Sequence, residues 1–303
     1  MYTRLLAILS ISFLNSYATN YAGDFQELGV GARALGMGSA FVAQAGDPFS
    51  LYWNPAGSAL VEKRSVSFMH AENFGGIVNN EYLGFVLPGE KNSLGIAYYY
   101  LGVPGIKLTR LADTLRNLSE TNRPIPYDTV TASDHLIYLN YSKGHKQISF
   151  GANFKLYYRN LSVIKGFGGG LDVGVITNLP NLSLGFAIRD VVLSPVIWDN
   201  GYREQILPRF ALGLAPLLPL MKYKSTIKFE WDLIKFIDHG QRFEQNLGME
   251  FSYNESAFMR LGLKDFKPTL GLGIRWKALS LDYAFVHHPD LSASNKISAG
   301  VRF

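Results

Sequence analysis

From Arg64 to the end of the chain, apolar and polar residues alternate in runs of roughly ten, separated by clusters of turn-forming residues. The period of two is that of a strand with unlike faces, whereas an amphipathic helix repeats every ~3.6 residues. Fourteen runs centre near 64–72, 80–87, 93–101, 134–142, 147–158, 169–177, 182–190, 208–216, 222–232, 243–253, 256–264, 268–276, 279–287 and 294–303. In the last, Ile297, Ala299, Val301 and Phe303 alternate with Lys296, Ser298, Gly300 and Arg302. This length and pattern suit strands that cross a bilayer, and an even count closes an antiparallel barrel with both ends on one side. The expected fold is all-β and transmembrane: a closed antiparallel β-barrel of about 14 strands over 63–303, with an N-terminal hatch, 19–62, inside the lumen. The apolar strand residues then face lipid instead of an ordinary buried core.

Link lengths follow strand parity. Even-numbered links, around Gly89, Gly144, Pro180, Pro219, Asn254 and Ala278, are short, and the long ones, near 102–133, 159–168, 190–207 and 233–242, are all odd. Short periplasmic turns and longer external loops give this asymmetry, which puts both termini of the mature chain in the periplasm. Register predicts three charged pairs in the lumen: Glu250 with Arg260, Arg275 with Asp282, and Asp134 with Lys155. The same registers set Phe251 against Met259, Trp276 against Leu281 and Tyr141 against Ile148 on the lipid side. Strand glycines, including Gly84, Gly95, Gly151, Gly174, Gly185, Gly213, Gly248, Gly262, Gly271, Gly273 and Gly300, fall on the inner face, where another segment can approach closely. Tyr98, Tyr99, Tyr100, Tyr157, Tyr158, Trp231 and Trp276 lie near strand ends and read as an interfacial girdle.

Composition narrows the class. The first 18 residues read as a secretory signal, with Arg4, the apolar run Leu5 to Leu14 and the small-x-small site Ser16-Tyr17-Ala18. With no Cys in the chain, disulfides and thiolate metal sites are excluded. The apolar stretch from Ala211 to Met221 is broken by Pro216 and Pro219, far short of the ~20 residues of a spanning helix. A net charge of +5 is spread over scattered residues, with a loose group at Lys107, Arg110, Arg116 and Arg123, so no nucleic-acid partner is implied.

Residues 19–62 do not alternate. Gly31-Ala32-Arg33-Ala34-Leu35-Gly36-Met37-Gly38, then Asp47, then Trp53-Asn54-Pro55-Ala56-Gly57, form a small-residue segment of short helices and turns. This series resembles the N-terminal signature of the PorV/PorQ family, within the FadL-like outer-membrane barrels. Gly168-Gly169-Gly170-Leu171-Asp172-Val173-Gly174, Met259-Arg260-Leu261-Gly262, Gly271-Leu272-Gly273, Leu281-Asp282-Tyr283-Ala284-Phe285 and the closing run extend the resemblance over most of the chain. The resemblance implies a fourteen-stranded barrel in the bacterial outer membrane with an internal hatch, built of Arg33, Asp47, Asn54, Pro55 and Gly57 among others. Terminal Phe303 resembles the signal read by the barrel assembly machinery. Arg33 is suited to bridge to a lumen carboxylate such as Asp172, Glu250 or Asp282, and Asn54-Pro55 to fix the turn back to the first strand.

Two functions remain in view. One, implied by PorV/PorQ, is to assist type IX-like secretion by binding exported proteins or secretion-system components through 102–133 and 190–207. The other is a FadL-like passive channel for fatty acids or other hydrophobic molecules, with Gly102-Val103-Pro104-Gly105 and Gly168-Gly169-Gly170 as sites of irregular backbone. A structural barrel that organises the envelope differs from the first only in its partner. Lipid and lipopolysaccharide are the expected surroundings. No enzyme, cofactor or metal is expected. Gly29-Val30-Gly31-Ala32-Arg33-Ala34 lacks the preceding buried strand of a dinucleotide loop. Adjacent His287 and His288 point apart on a strand, and Asp134 with His135, or His70 with Glu72, lack a third catalytic partner.

Overall fold

The computed structural model describes residues 23–303 except 45, 146, 193, 221–223, 238–241 and 289. The expected signal at 1–18 lies outside the described residues. The strands are β1 (Ser65–Asn73), β2 (Val78–Pro88), β3 (Asn92–Leu111), β4 (Pro124–His145), β5 (Ile148–Asn160), β6 (Lys165–Leu179), β7 (Leu182–Arg189) and β8 (Ser194–Trp198). After these come β9 (Arg203–Ile206), β10 (Arg209–Leu220), β11 (Ser225–Phe236), β12 (Phe243–Tyr253), β13 (Ala257–Lys264), β14 (Lys267–Trp276), β15 (Leu279–Val286) and β16 (Ser294–Arg302).

Fourteen of these close an antiparallel barrel, in which β1 pairs with β16, β7 with β10, and β5 with β6 to complete the ring. The remaining two, β8 and β9, form a hairpin that prolongs the wall, with Val196–Trp198 paired to Gly166–Gly168 of β6. Side chains alternate as the pattern requires. On β1, Ser65, Ser67, Met69 and Ala71 are buried, while outward Phe68 is 46% exposed. Outward Met259 and Trp276 are 62% and 67% exposed, which in a bilayer is contact with acyl chains.

The turn at Asn254–Ser256 gives the expected register, Glu250 opposite Arg260 and Phe251 opposite Met259. Two other two-residue turns fall one or two residues along the chain from where they are expected, which slides the register by an even number and leaves the faces unchanged. Between β14 and β15 only Lys277 and Ala278 intervene, with Lys277 in the left-handed region, so Arg275 stands opposite Ser280 and Asp282 opposite Gly273. Between β4 and β5 the ladder runs on to His145 and Ile148, so Asp134 stands opposite Arg159 and Lys155 opposite Tyr138. The expected pairs Arg275/Asp282 and Asp134/Lys155 therefore do not form.

Two expected loops are largely strand. The link 102–133 is a hairpin, because β3 runs to Leu111 and β4 starts at Pro124, with register breaks after Val103 and Leu108. The link 190–207 contains β8 and β9. A cluster of buried apolar residues also exists inside the bore, where Phe25, Tyr52 and Trp53 of the N-terminal segment meet Tyr99, Leu136, Tyr138 and Tyr157 of the wall.

Candidate functional site

Residues 23–62 form two short helices, α1 (Ala32–Gly36) and α2 (Ser50–Trp53), and two 3₁₀ turns, Asp24–Gln26 and Pro55–Leu60. A segment this irregular has few ladder partners, yet its buried N–H groups must be satisfied. Inward side chains of the wall supply the acceptors. The Ala32 amide donates to Ser298 Oγ at 2.6 Å and the Gly38 amide to Thr269 Oγ1 at 2.9 Å. Phe41 and Val42 amides donate to Asp232 Oδ2 at 2.7 and 3.0 Å, and the Ala43 amide to Glu230 Oε1 at 2.7 Å. Sequence reasoning missed these four wall residues. The legible signal was a pair of inward acids, Glu230 and Asp232, on a strand whose neighbours give them no matching cation.

Close approach of backbones is possible because the inner face carries glycines where the segment passes. A Cβ on Gly36 would sit 2.8 Å from Gly271 Cα, one on Gly248 would sit 2.6 Å from Met37 O, and one on Gly262 would collide with the Gly38 nitrogen. Pro55 lies against Gly151, and Asn54 against Gly174.

At the centre of the bore the ionic residues converge. Arg33 grips Glu250 in a fork, Nε to Oε2 at 2.9 Å and Nη2 to Oε1 at 3.0 Å, and its Nη1 lies 3.7 Å from Asp47. Arg260 binds Glu250 at 2.7 Å and Asp282 at 2.7 Å, so one wall carboxylate joins the segment to two strands. Burial works against the charge of Arg33, but Glu250 and Asp47 outweigh it and hold the guanidinium more firmly protonated than usual. Asp47 also caps the turn before α2 through the Phe49 amide, 3.0 Å. Arg275 has no part in this network.

Asn54 is fully buried; its Oδ1 accepts from the Ala56 amide, and its Nδ2 donates to the Val42 carbonyl at 2.9 Å and the Val175 carbonyl at 3.2 Å. Pro55 opens the following 3₁₀ turn, where its missing N–H costs nothing, and the Gly57 amide closes it on the Asn54 carbonyl at 2.9 Å. Replacing Asn54 with Ala strands several buried polar groups, each worth ~1–3 kcal/mol. The expected outcome for Asn54→Ala is a barrel that stays folded while 23–62 becomes protease-accessible at a lower temperature, read by limited proteolysis across a temperature ramp.

Toward the long-link end, Lys155 Nζ binds Asp172 and Asp190 at 2.7 Å each, and Asp190 also accepts from Tyr157 and Ser194 hydroxyls at 2.6 and 2.8 Å. Asp190 sits in the left-handed region at the end of β7, where the ladder breaks before resuming as β8. Gly169 and Gly170 of β6 face this break, next to Gly168, which is paired with Val196, and a Cβ on Gly170 would crowd Tyr157 Oη at 2.5 Å and Asp190 Oδ1 at 2.6 Å. Asp134 is held by Arg159 Nε at 2.6 Å, and the Arg159 guanidinium lies 4.7 Å from the Phe25 ring centroid. Tyr99 and Tyr157 are inward and buried, the Tyr99 hydroxyl donating to the Phe25 carbonyl at 2.8 Å, so these two are not part of an outer girdle. Parity alone accounts for Tyr99, since the middle of three consecutive strand residues must point opposite to its neighbours.

The histidines are dispersed. His135 bonds Tyr98 and Ser133 on the outer side, and His70 bonds Glu81 at 2.6 Å. Among the described residues no three His, Asp or Glu side chains converge as a metal site. Phe303 is 62% exposed, with its amide on the Arg64 carbonyl at 2.9 Å.

No protein-family model matches this sequence, and no curated protein matches it. Solved structures do match the fold. The Pseudomonas putida toluene transporter TodX superposes with a TM-score of 0.61 at 11% identity, covering 91% of this chain and 99% of that one. The Ralstonia pickettii toluene transporter TbuX gives 0.58 at 13% identity, covering 91% and 98%. The CymD monoaromatic hydrocarbon channel gives 0.59 at 12% identity, covering 91% and 98%. These neighbours are FadL-family outer-membrane barrels, and this chain shares their closed fourteen-stranded fold.

Proposed function

We propose that this protein is an outer-membrane channel through which small hydrophobic molecules pass passively, and that residues 23–62 are the hatch that closes it. The observation that carries this reading is the interruption of the wall after Arg189, where among the described residues Asp190, Val191 and Val192 lie outside any strand, beside the inward rings of Tyr99, Tyr138 and Tyr157. A hydrophobic molecule in that layer meets ring faces beside the Lys155, Asp172 and Asp190 cluster, whose charges satisfy one another, and at the interruption fewer ladder hydrogen bonds separate the bore from lipid. The named cargo of the structural neighbours, toluene and monoaromatic hydrocarbons, supports the substrate class. Under this reading the short turns and both termini face the periplasm and the β3–β4 hairpin faces outward. Nothing in the comparisons supports the secretion role implied by the PorV/PorQ resemblance, so the channel reading takes precedence.

The test is uptake of a labelled monoaromatic hydrocarbon, at low external concentration, by cells with an intact outer membrane. Cells making the protein should take it up several-fold faster than cells carrying an empty vector. Equal rates at equal barrel abundance would remove the proposal.

A further inference from the structure

The short-turn end of the bore holds a cavity of about 800 Å³ between the N-terminal segment and the wall. Six cations line it, Arg33, Lys63, Lys228, Arg275, Lys277 and Arg302, against three carboxylates, Glu62, Glu250 and Glu255. Glu250 is already committed to Arg33 and Arg260. The imbalance therefore falls on the remaining cations.

Arg275 is the sharpest case. The two-residue turn places it opposite Ser280, and Asp282 is taken by Arg260, so its expected carboxylate is gone. Its Nε is buried with no hydrogen-bond partner, and its guanidinium lies 5.1 Å from the Phe258 ring centroid, fixed at the cavity wall. Lys228 stands opposite Glu250 in the ladder, yet the Glu250 oxygens are occupied by arginines. Arg302 gives one Nη2 bond, 3.0 Å, to the Gly46 carbonyl. Among the described residues none of these three cations has a carboxylate within ion-pair distance. Enclosed positive charge without counter-charge is costly, and a bound anion would offset it.

We propose that this cavity binds the phosphate group of a ligand, held by Arg275, Lys228 and Arg302. A phosphate presents several oxygens in three dimensions and carries close to two charges as a monoester, so cations arriving from different strands can all donate to it. A carboxylate offers two oxygens in one plane and suits a single guanidinium fork, the arrangement already used by Arg33 and Glu250. The proposal does not depend on hydrocarbon transport. Two sources share the chemistry: a soluble phosphate monoester, and a lipid whose headgroup is a phosphate monoester, reaching over the barrel rim beside Lys277.

The test uses the full-length protein in a phosphate-free detergent. Glycerol 3-phosphate is titrated by calorimetry against a chloride control, and phosphatidic acid retained after detergent exchange is measured as phosphorus per protein. Saturable binding of either probe, weakened at least tenfold in Arg275→Gln/Lys228→Gln and less in Arg275→Lys, is the expected result. The responding probe identifies the source. Heat-dependent gel mobility verifies that each variant is a folded barrel. Binding of neither probe, or binding that is the same in the folded double variant, would overturn the proposal.

Discussion

Replacing Glu250 with Ala should open the bore while leaving the barrel folded. Glu250 is gripped by both Arg33 of the N-terminal segment and Arg260 of the wall. Its removal leaves two buried guanidinium groups facing each other without their shared counter-charge. Breaking a buried ion pair from one side typically costs ~3–5 kcal/mol. That cost falls on the contact between segment and wall, because β12 is held to β11 and β13 by its backbone ladder, which the substitution does not touch. The expected readouts are a several-fold rise in single-channel conductance in planar bilayers and rapid proteolysis within 23–62, with heat-dependent gel mobility unchanged. Glu255→Ala, at an exposed turn, serves as the control and should behave as the parent does. A Glu250→Ala protein with the parent's conductance and protease resistance would show that the ionic centre does not hold the segment in place.

A second substitution reaches the same end by steric means. A side chain at Gly262 has no room, since its Cβ would strike the Gly38 nitrogen and Met37 carbonyl carbon, which are backbone atoms that cannot rotate away. Overpacking against side chains costs ~1–3 kcal/mol, and against backbone the neighbour must move as a unit. In Gly262→Leu the strand keeps its backbone ladder to β12 and β14, which the side chain does not touch. The expected outcome is an assembled barrel from which 23–62 is displaced, seen as protease cleavage and as exposure of Trp53 to aqueous quenchers. Leu261→Ile, on the outer face and 50% exposed, should change neither. Retained Trp53 shielding in Gly262→Leu would contradict the close backbone approach on which the packing rests.

The wall was more legible in the sequence than its contents. Lipid on one side and polar contents on the other impose a strict period of two, so strands such as β12 and β13 could be placed nearly to the residue, and their register followed from Glu250 and Arg260. Where the bilayer ends, that constraint ends too. The upper half of the β3–β4 hairpin pairs Lys107 with Thr129, Leu108 with Asp128, Thr109 with Pro126 and Arg110 with Ile125, mixing polar and apolar side chains without a continuous apolar stripe, and so reads as loop. Turn position was the second blind spot. Lys277 adopts a left-handed conformation that usually favours glycine or asparagine, and the sequence carried no cue that the turn starts at this lysine and not one residue later.

Legibility in the bore followed the same division. The inward glycines announced that another segment passes close to the wall, and the structure places Gly36, Gly38, Met37 and Pro55 against Gly271, Gly262, Gly248 and Gly151. Arg33 was readable as a bridge to a wall carboxylate, though not to which one, because three strands offer candidates at similar depth. The hydrogen bonds from segment amides to Glu230, Asp232, Thr269 and Ser298 were not readable, since they depend on the path of a chain with no period of its own. Asp190 was hidden for a related reason: its partner Lys155 lies on β5, two strands away along the wall.

The most direct test of the central claim, that residues 23–62 lie inside a lipid-facing barrel, is a disulfide between the segment and the wall. Ser58 and Ser142 place their hydroxyl oxygens 2.7 Å apart, and the natural sequence contains no cysteine. In Ser58→Cys/Ser142→Cys, oxidised in the membrane and then alkylated, mass measurement should find both thiols protected from alkylation until a reductant is added. Two freely alkylated thiols in a barrel that remains folded would place the segment elsewhere and contradict the account.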